Sequence, residues 1–137
     1  VNNYKTKMVI VWRNDLKVRK GKFGSQIGHA VLGIFTKNME LYSFDTSSGR
    51  VGTMSMDVNQ DMIEWFENSF AKICLSCDSE EELLELYKKA EEAKLPCILI
   101  TDNGTTEFHG VKTNTCIGIG PAKSEEIDKI TGHLKLV

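Results

Sequence analysis

The chain has 137 residues, which suits one compact domain spanning 1–137 and leaves little room for a second. Hydrophobic residues make up 41% and charged residues 26%, a balance that excludes a disordered chain, and no apolar run approaches the ~20 residues that cross a bilayer. With 17 Lys+Arg against 19 Asp+Glu the net charge is -2, so bulk charge does not mark a nucleic-acid binder, and the expectation is a soluble protein of the cytoplasm.

KMVIVWR (Lys7 to Arg13) is a short, continuous, β-branched run, as expected of a strand covered on both faces in an α/β sheet. NDLKVRKGK reads as a loop in which cations gather, and a helix is predicted from about Lys22 to Phe35. At helical spacing Phe23, Ile27, Ala30, Val31 and Ile34 share one side, while Lys22, Gln26, His29 and Gly33 form a narrow polar stripe. Residues 36–57, rich in Ser, Thr and Gly, read as a loop or irregular insertion. Val58 to Ser69 reads as a helix burying Met62, Trp65 and Phe66.

AKICLSC then alternates like a strand, which places Cys74 and Cys77 on opposite faces and argues against one metal taking both thiols. The four cysteines are therefore expected to be reduced core residues. Ser79 and Glu82 form a capping box for a helix whose apolar face is Leu83, Leu84, Tyr87, Ala90 and Leu95, ended by Pro96. CILIT and TNTCIGIG are strands joined without a helix, hence antiparallel, and Ser124 caps a last helix stopped by Gly132. The order β, α, α, β, α, β, β, α gives a small mixed sheet with helices on its faces.

Three places carry candidate chemistry. The basic loop Lys17 to Lys22 feeds a helix N-terminus, where free N–H groups and lysines suit a phosphate or carboxylate, although GKFGS is not a P-loop. His29, on the polar stripe, carries a side chain able to move protons near neutrality or to serve structure alone. Asp102 stands at the C-terminal end of a strand before a Thr- and Gly-rich loop, where open α/β sheets bind ligands and where Asp-Asn-Gly is also plain turn chemistry.

Several separated blocks occur together: R-N-D-L-K-x-x-K-G-K from Arg13 to Lys22, Q-x-x-H-A from Gln26 to Ala30, the capped acidic helix, T-D-N-G-x-T from Thr101 to Thr106, G-I-G-P from Gly118 to Pro121, and the ending I-D-K-I-T-G-H-L-K-L. With these blocks nearly the whole chain resembles the archaeal and eukaryotic type of peptidyl-tRNA hydrolase. The resemblance implies a three-layer α/β/α fold with a mixed four-stranded sheet, a homodimer, and metal-independent, cofactor-free hydrolysis of the ester joining a peptide to the ribose of tRNA. Motif by motif, it implies catalytic roles for Lys22, Asp102, Thr106 and Thr115, and His29 matches the histidine of the family's first helix. Lys17, Arg19 and Lys20 are expected to bind the tRNA backbone, with Arg13 and Gln26 also on the substrate side. Arg19 replaces a glycine usual in the family's loop, Thr105 stands where the family often has arginine, and 36–57 is longer than usual. Two rival readings are a non-catalytic tRNA- or protein-binding module on the same scaffold and a phosphometabolite enzyme using the helix N-terminus.

Overall fold

The computed structural model describes residues 4–105 and 107–137. Strand β1 (Thr6–Arg13) runs through the middle of a five-stranded sheet of order β5-β6-β1-β4-β7. It is parallel to β4 (Lys72–Cys77) and antiparallel to β6 (Thr113–Lys123), while β5 (Cys97–Asp102) is antiparallel to β6. The sheet is thus mixed, as the helix-free connection from β5 to β6 requires.

β1 is apolar from Met8 to Trp12 because both of its faces are covered there. Val9 and Val11 join one core with Leu83, Leu86 and Ala90 of α3 (Glu80–Glu92) and Ile127 and Ile130 of α4 (Ser124–Thr131). Met8, Ile10 and Trp12 join the other, with Ala30 and Ile34 of α1 (Lys20–Thr36) and with Trp65. Helix α1 lies close on the sheet because Gly118 has no side chain: a Cβ there would stand 3.0 Å from Ile34 and 3.3 Å from the Ala30 carbonyl. Phe23 sets its ring edge-on to Trp12 at 5.0 Å, fixing the start of α1 over the end of β1.

The cysteine reading holds: Cys74 packs with the α1-side core and Cys77 lies in the other, with all four thiols free. Burial pushes the Cys77 thiol up to about 11 and the Cys116 thiol up to about 12, which keeps them protonated. Ser79 caps α3 by accepting from the Glu82 amide at 3.1 Å, and the Glu82 carboxylate reaches back one residue beyond the cap, to the Asp78 amide at 2.8 Å.

Five expectations are corrected. The sheet has five strands, because Lys135–Leu136 (β7) pairs antiparallel with β4, a contact too short to leave a hydrophobic signature. Residues 36–57 contain a regular hairpin, β2 (Glu40–Thr46) and β3 (Gly49–Ser55), paired from Glu40↔Ser55 to Thr46↔Gly49 as a separate two-stranded sheet. It stands off the core with Leu41, Tyr42, Phe44 and Met54 exposed, so no inward-outward alternation marks it. The helix after it is α2 (Gln60–Glu64), capped by Asn59 and continued by a wider π turn (Trp65–Ser69), which buries Trp65 but leaves Phe66 half exposed. On α3 the inward leucines are Leu83 and Leu86, and Leu84 faces out. Ser124 begins α4, but its hydroxyl donates to the Tyr4 carbonyl at 2.6 Å and caps nothing.

Candidate active site

The basic loop ends where α1 begins, at Lys20, so Lys20 and Lys22 both sit in the first helical turn, where the helix dipole disfavours a cation. A carboxylate answers that cost. Lys22 Nζ donates to Asp102 Oδ1 at 2.7 Å, with side-chain exposures of 13% and 10%. Eighty positions separate the two residues in sequence. They meet because α1 packs on β5 and β6, and Asp102 is the last residue of β5.

The carboxylate is held from three directions. Besides Lys22, the Gln26 side-chain amide donates to Oδ1 at 3.3 Å and the Gly104 backbone amide donates to Oδ2 at 2.8 Å. The last bond closes the turn after β5. There Gly104 has φ +84 and a Cβ would fall 2.5 Å from the Val111 carbonyl, so the position takes glycine alone. Hydrogen bonding by Lys22, aided by Gly104 and Gln26, outweighs burial and holds the Asp102 carboxyl below the usual carboxylate range.

Gln26 is buried, and its carbonyl oxygen accepts from the Thr115 hydroxyl at 2.7 Å. That bond orients the amide so that its NH2 faces Asp102. Thr115, fully buried on β6, also lies 3.4 Å from the Ile100 carbonyl, so one hydroxyl proton serves either Gln26 or the β5 backbone. Four side chains from three elements thus form one chain: Thr115, Gln26, Asp102 and Lys22.

The remaining sequence-named residues divide. His29 is exposed on α1, with the Ser25 hydroxyl 3.5 Å from Nε2, and lines a groove together with Gln26 and residues 99–103. Arg13 turns its guanidinium to Asp15, with Nε at 3.1 Å and Nη2 at 2.7 Å, and donates from Nη1 to the Asn114 carbonyl at 2.9 Å, tying β1 to β6. Lys17 and Lys20 are exposed, and Arg19, 83% exposed, pairs with Glu107 at 3.1 Å beside Lys22. Thr106 lies outside the described residues.

Three partners of the sequence-named residues have no counterpart among them: the Gly104 amide on Asp102, the Glu107 carboxylate on Arg19, and the Phe108 ring, whose centroid is 6.0 Å from Lys22 Nζ. An Asp two residues before a Gly signals the first, since that spacing makes an Asx turn. Nothing local signals the other two. Among the described residues no three His, Cys, Asp or Glu side chains gather as a metal site would require.

Comparison with known proteins shows the family. The family model described as peptidyl-tRNA hydrolase PTH2 matches residues 6–137. A peptidyl-tRNA hydrolase of Methanopyrus kandleri is 40% identical over 131 residues, covering 96% of this chain and 97% of that protein. One from Methanocaldococcus jannaschii is likewise 40% identical, covering 96% and 99%. Among solved structures, a protein of unknown function from Agrobacterium tumefaciens shares the fold with a TM-score of 0.54 at 15% identity, covering 98% of each chain. With a family match along nearly its whole length and relatives this similar, the chain belongs to the PTH2 family of peptidyl-tRNA hydrolases.

Proposed function

We infer that the chain hydrolyses the ester joining a peptide to the ribose of tRNA, and that Lys22, Asp102, Thr106, Thr115 and His29 carry the reaction. The observation that carries the site assignment is the convergence of Lys22, Gln26 and the Gly104 amide on one nearly buried carboxylate. Family membership supports the reaction, and nothing favours a non-catalytic module.

An aminoacyl-type ester is already activated, so the enzyme's task is to place water and to stabilise the developing oxyanion. Asp102, held ionised by Lys22, is a poor proton acceptor, and its role is to orient the attacking water. The water oxygen bonds to the ester carbon, the bond to the ribose oxygen breaks, and the proton released from water ends on the ribose hydroxyl. Lys22 supplies positive charge to the oxyanion. Thr115 acts through Gln26 as a positioning residue, His29 meets substrate at the groove rim, and Thr106 keeps the catalytic role that the family motif implies. No cofactor enters this scheme.

Exposed Lys17, Arg19 and Lys20 bind tRNA phosphates at the start of α1, with Arg19 exchanging Glu107 for a phosphate. Arg13 supports that end of the sheet rather than touching substrate, because its donors already serve Asp15 and Asn114. A homodimer fits the exposed apolar hairpin, a single domain fits two cores built on one sheet, and a cytoplasmic place fits a substrate of translation. Among the described residues no helix is long and apolar enough to cross a membrane.

Release of peptide from N-acetylaminoacyl-tRNA by the purified protein tests the reading. Turnover is expected, with log affinity falling against log salt at a slope of about -2 to -3 for three phosphate-binding cations. Salt-sensitive binding of tRNA without any hydrolysis would overturn it.

A further inference from the structure

β5 is the last strand of its sheet: β6 pairs with one side, and no described strand pairs with the other. An antiparallel ladder alternates residues whose N–H and C=O point into the pairing with residues whose groups point away. The Gly120 amide donates to the Pro96 carbonyl at 2.8 Å, so Pro96, Ile98 and Ile100 form the inward set, and Cys97 and Leu99 turn their backbone groups outward. The two outward positions differ. Lys37 Nζ donates to the Cys97 carbonyl at 3.0 Å and closes the strand's entrance, a common protection of sheet edges. Leu99 has no side chain bonded to its backbone among the described residues, and Ile98, Leu99 and Ile100 are only half buried while their β6 and β1 neighbours are fully so.

The uncovered stretch opens onto the groove between α1 and β5, with Gln26 and His29 on one side and residues 99–103 on the other. The groove is continuous with the candidate active site, because Gln26 and Asp102 belong to both. From Leu99 to Asp102 is three residues, about 10 Å of strand. We propose that the peptide of the substrate lies along the outer edge of β5 as an added strand, bonding its main chain to the N–H and C=O of Leu99.

This rests on the hydrolase reading, which sets the ester at Asp102. The ester is at the peptide's C-terminus and Asp102 is at the C-terminal end of β5, so the added strand runs parallel to β5. Main-chain pairing suits a substrate whose peptide has no fixed sequence, because strand addition takes its affinity from the backbone and reads side chains only through pockets. Lys37 limits the paired length to the last three residues or so before the ester.

The experiment compares kcat/KM of the native protein for tRNA carrying one, two, three and four N-acetylated residues. A rise of about tenfold up to three residues, then a plateau, is expected from two main-chain hydrogen bonds. N-methylating the peptide amides one at a time should abolish the gain at one position only. Leu99→Pro removes the outward N–H and leaves the inward ladder intact, as edge strands tolerate, and should treat long and short peptides alike. Native hydrolysis of the shortest substrate with no length dependence, or with no sensitivity to N-methylation, overturns the proposal and leaves the hydrolase reading standing. Failure to hydrolyse any of them overturns both. If Leu99→Pro does not fold, the N-methylated substrates on native protein decide. A Leu99→Pro protein that drops from dimer to monomer in light scattering, with length dependence kept, would show that a second copy of the chain occupies the edge and would overturn the proposal.

Discussion

Two lysine–aspartate pairs stand at opposite ends of the sheet: Lys22 and Asp102 at 2.7 Å, Lys7 and Asp128 at 2.6 Å. Both lysines are largely buried, and by length and charge the pairs are equivalent. They differ at the carboxylate. Asp102 is 10% exposed, takes further donors from Gln26 and Gly104, and borders a groove, whereas Asp128 is 48% exposed on α4 and its pair ties that helix to β1. A buried ion pair on its own marks structure, since desolvation offsets most of its attraction. Several donors converging on one carboxylate beside open space mark a place where the charge has a second task.

The widest separation between the pairs should come from removing charge at each carboxylate. Asp102→Asn is expected to lower kcat by about 10²–10³, the scale of losing a group that places reactants and transition-state charge, with folding confirmed by thermal denaturation. Thr115→Val should have a smaller effect, about tenfold in kcat with KM little changed, because the Gln26 amide loses the bond that orients it toward Asp102. Restoring the hydroxyl with Thr115→Ser should recover most of that loss. The smallest effect belongs to the other end: Asp128→Asn should leave kcat within about twofold and cost about 1 kcal/mol of stability, read from the denaturation midpoint, since the pair is half solvated. A large rate loss in Asp128→Asn would erase the distinction.

What could be read from the sequence follows burial. β1 and the alternation of Cys74 and Cys77 were legible because each residue there answers to a packed face on one side or the other. α3 was legible from its cap, yet Leu84 and Leu86 exchanged roles, because they flank the line of Leu83 and Ala90 on opposite sides and the way α3 rests on the sheet decides which flank turns inward. The hairpin at 40–55 was not legible: its pairing is local, its side chains face water on both sides, and no hydrophobic period records it. At the site, Lys22 and Asp102 came through motifs matched to a family, while Glu107 and Phe108 join it only because the loop after β5 sets them against Arg19 and Lys22. Arg13 stands in the same basic stretch of sequence, and its guanidinium bonds Asp15 and the Asn114 carbonyl, contacts that no local pattern records.

The central claim is that Lys22 and Asp102 act as one unit, and a double-mutant cycle on kcat for N-acetylaminoacyl-tRNA tests it most directly. Lys22→Met, Asp102→Asn and the double variant are each compared with the native protein under conditions where all are folded. The two single losses are expected at about 10² or more, with the double variant scarcely worse than either, as for residues that serve one step together. Losses that multiply in the double variant, or single variants that keep near-native rates, would contradict it.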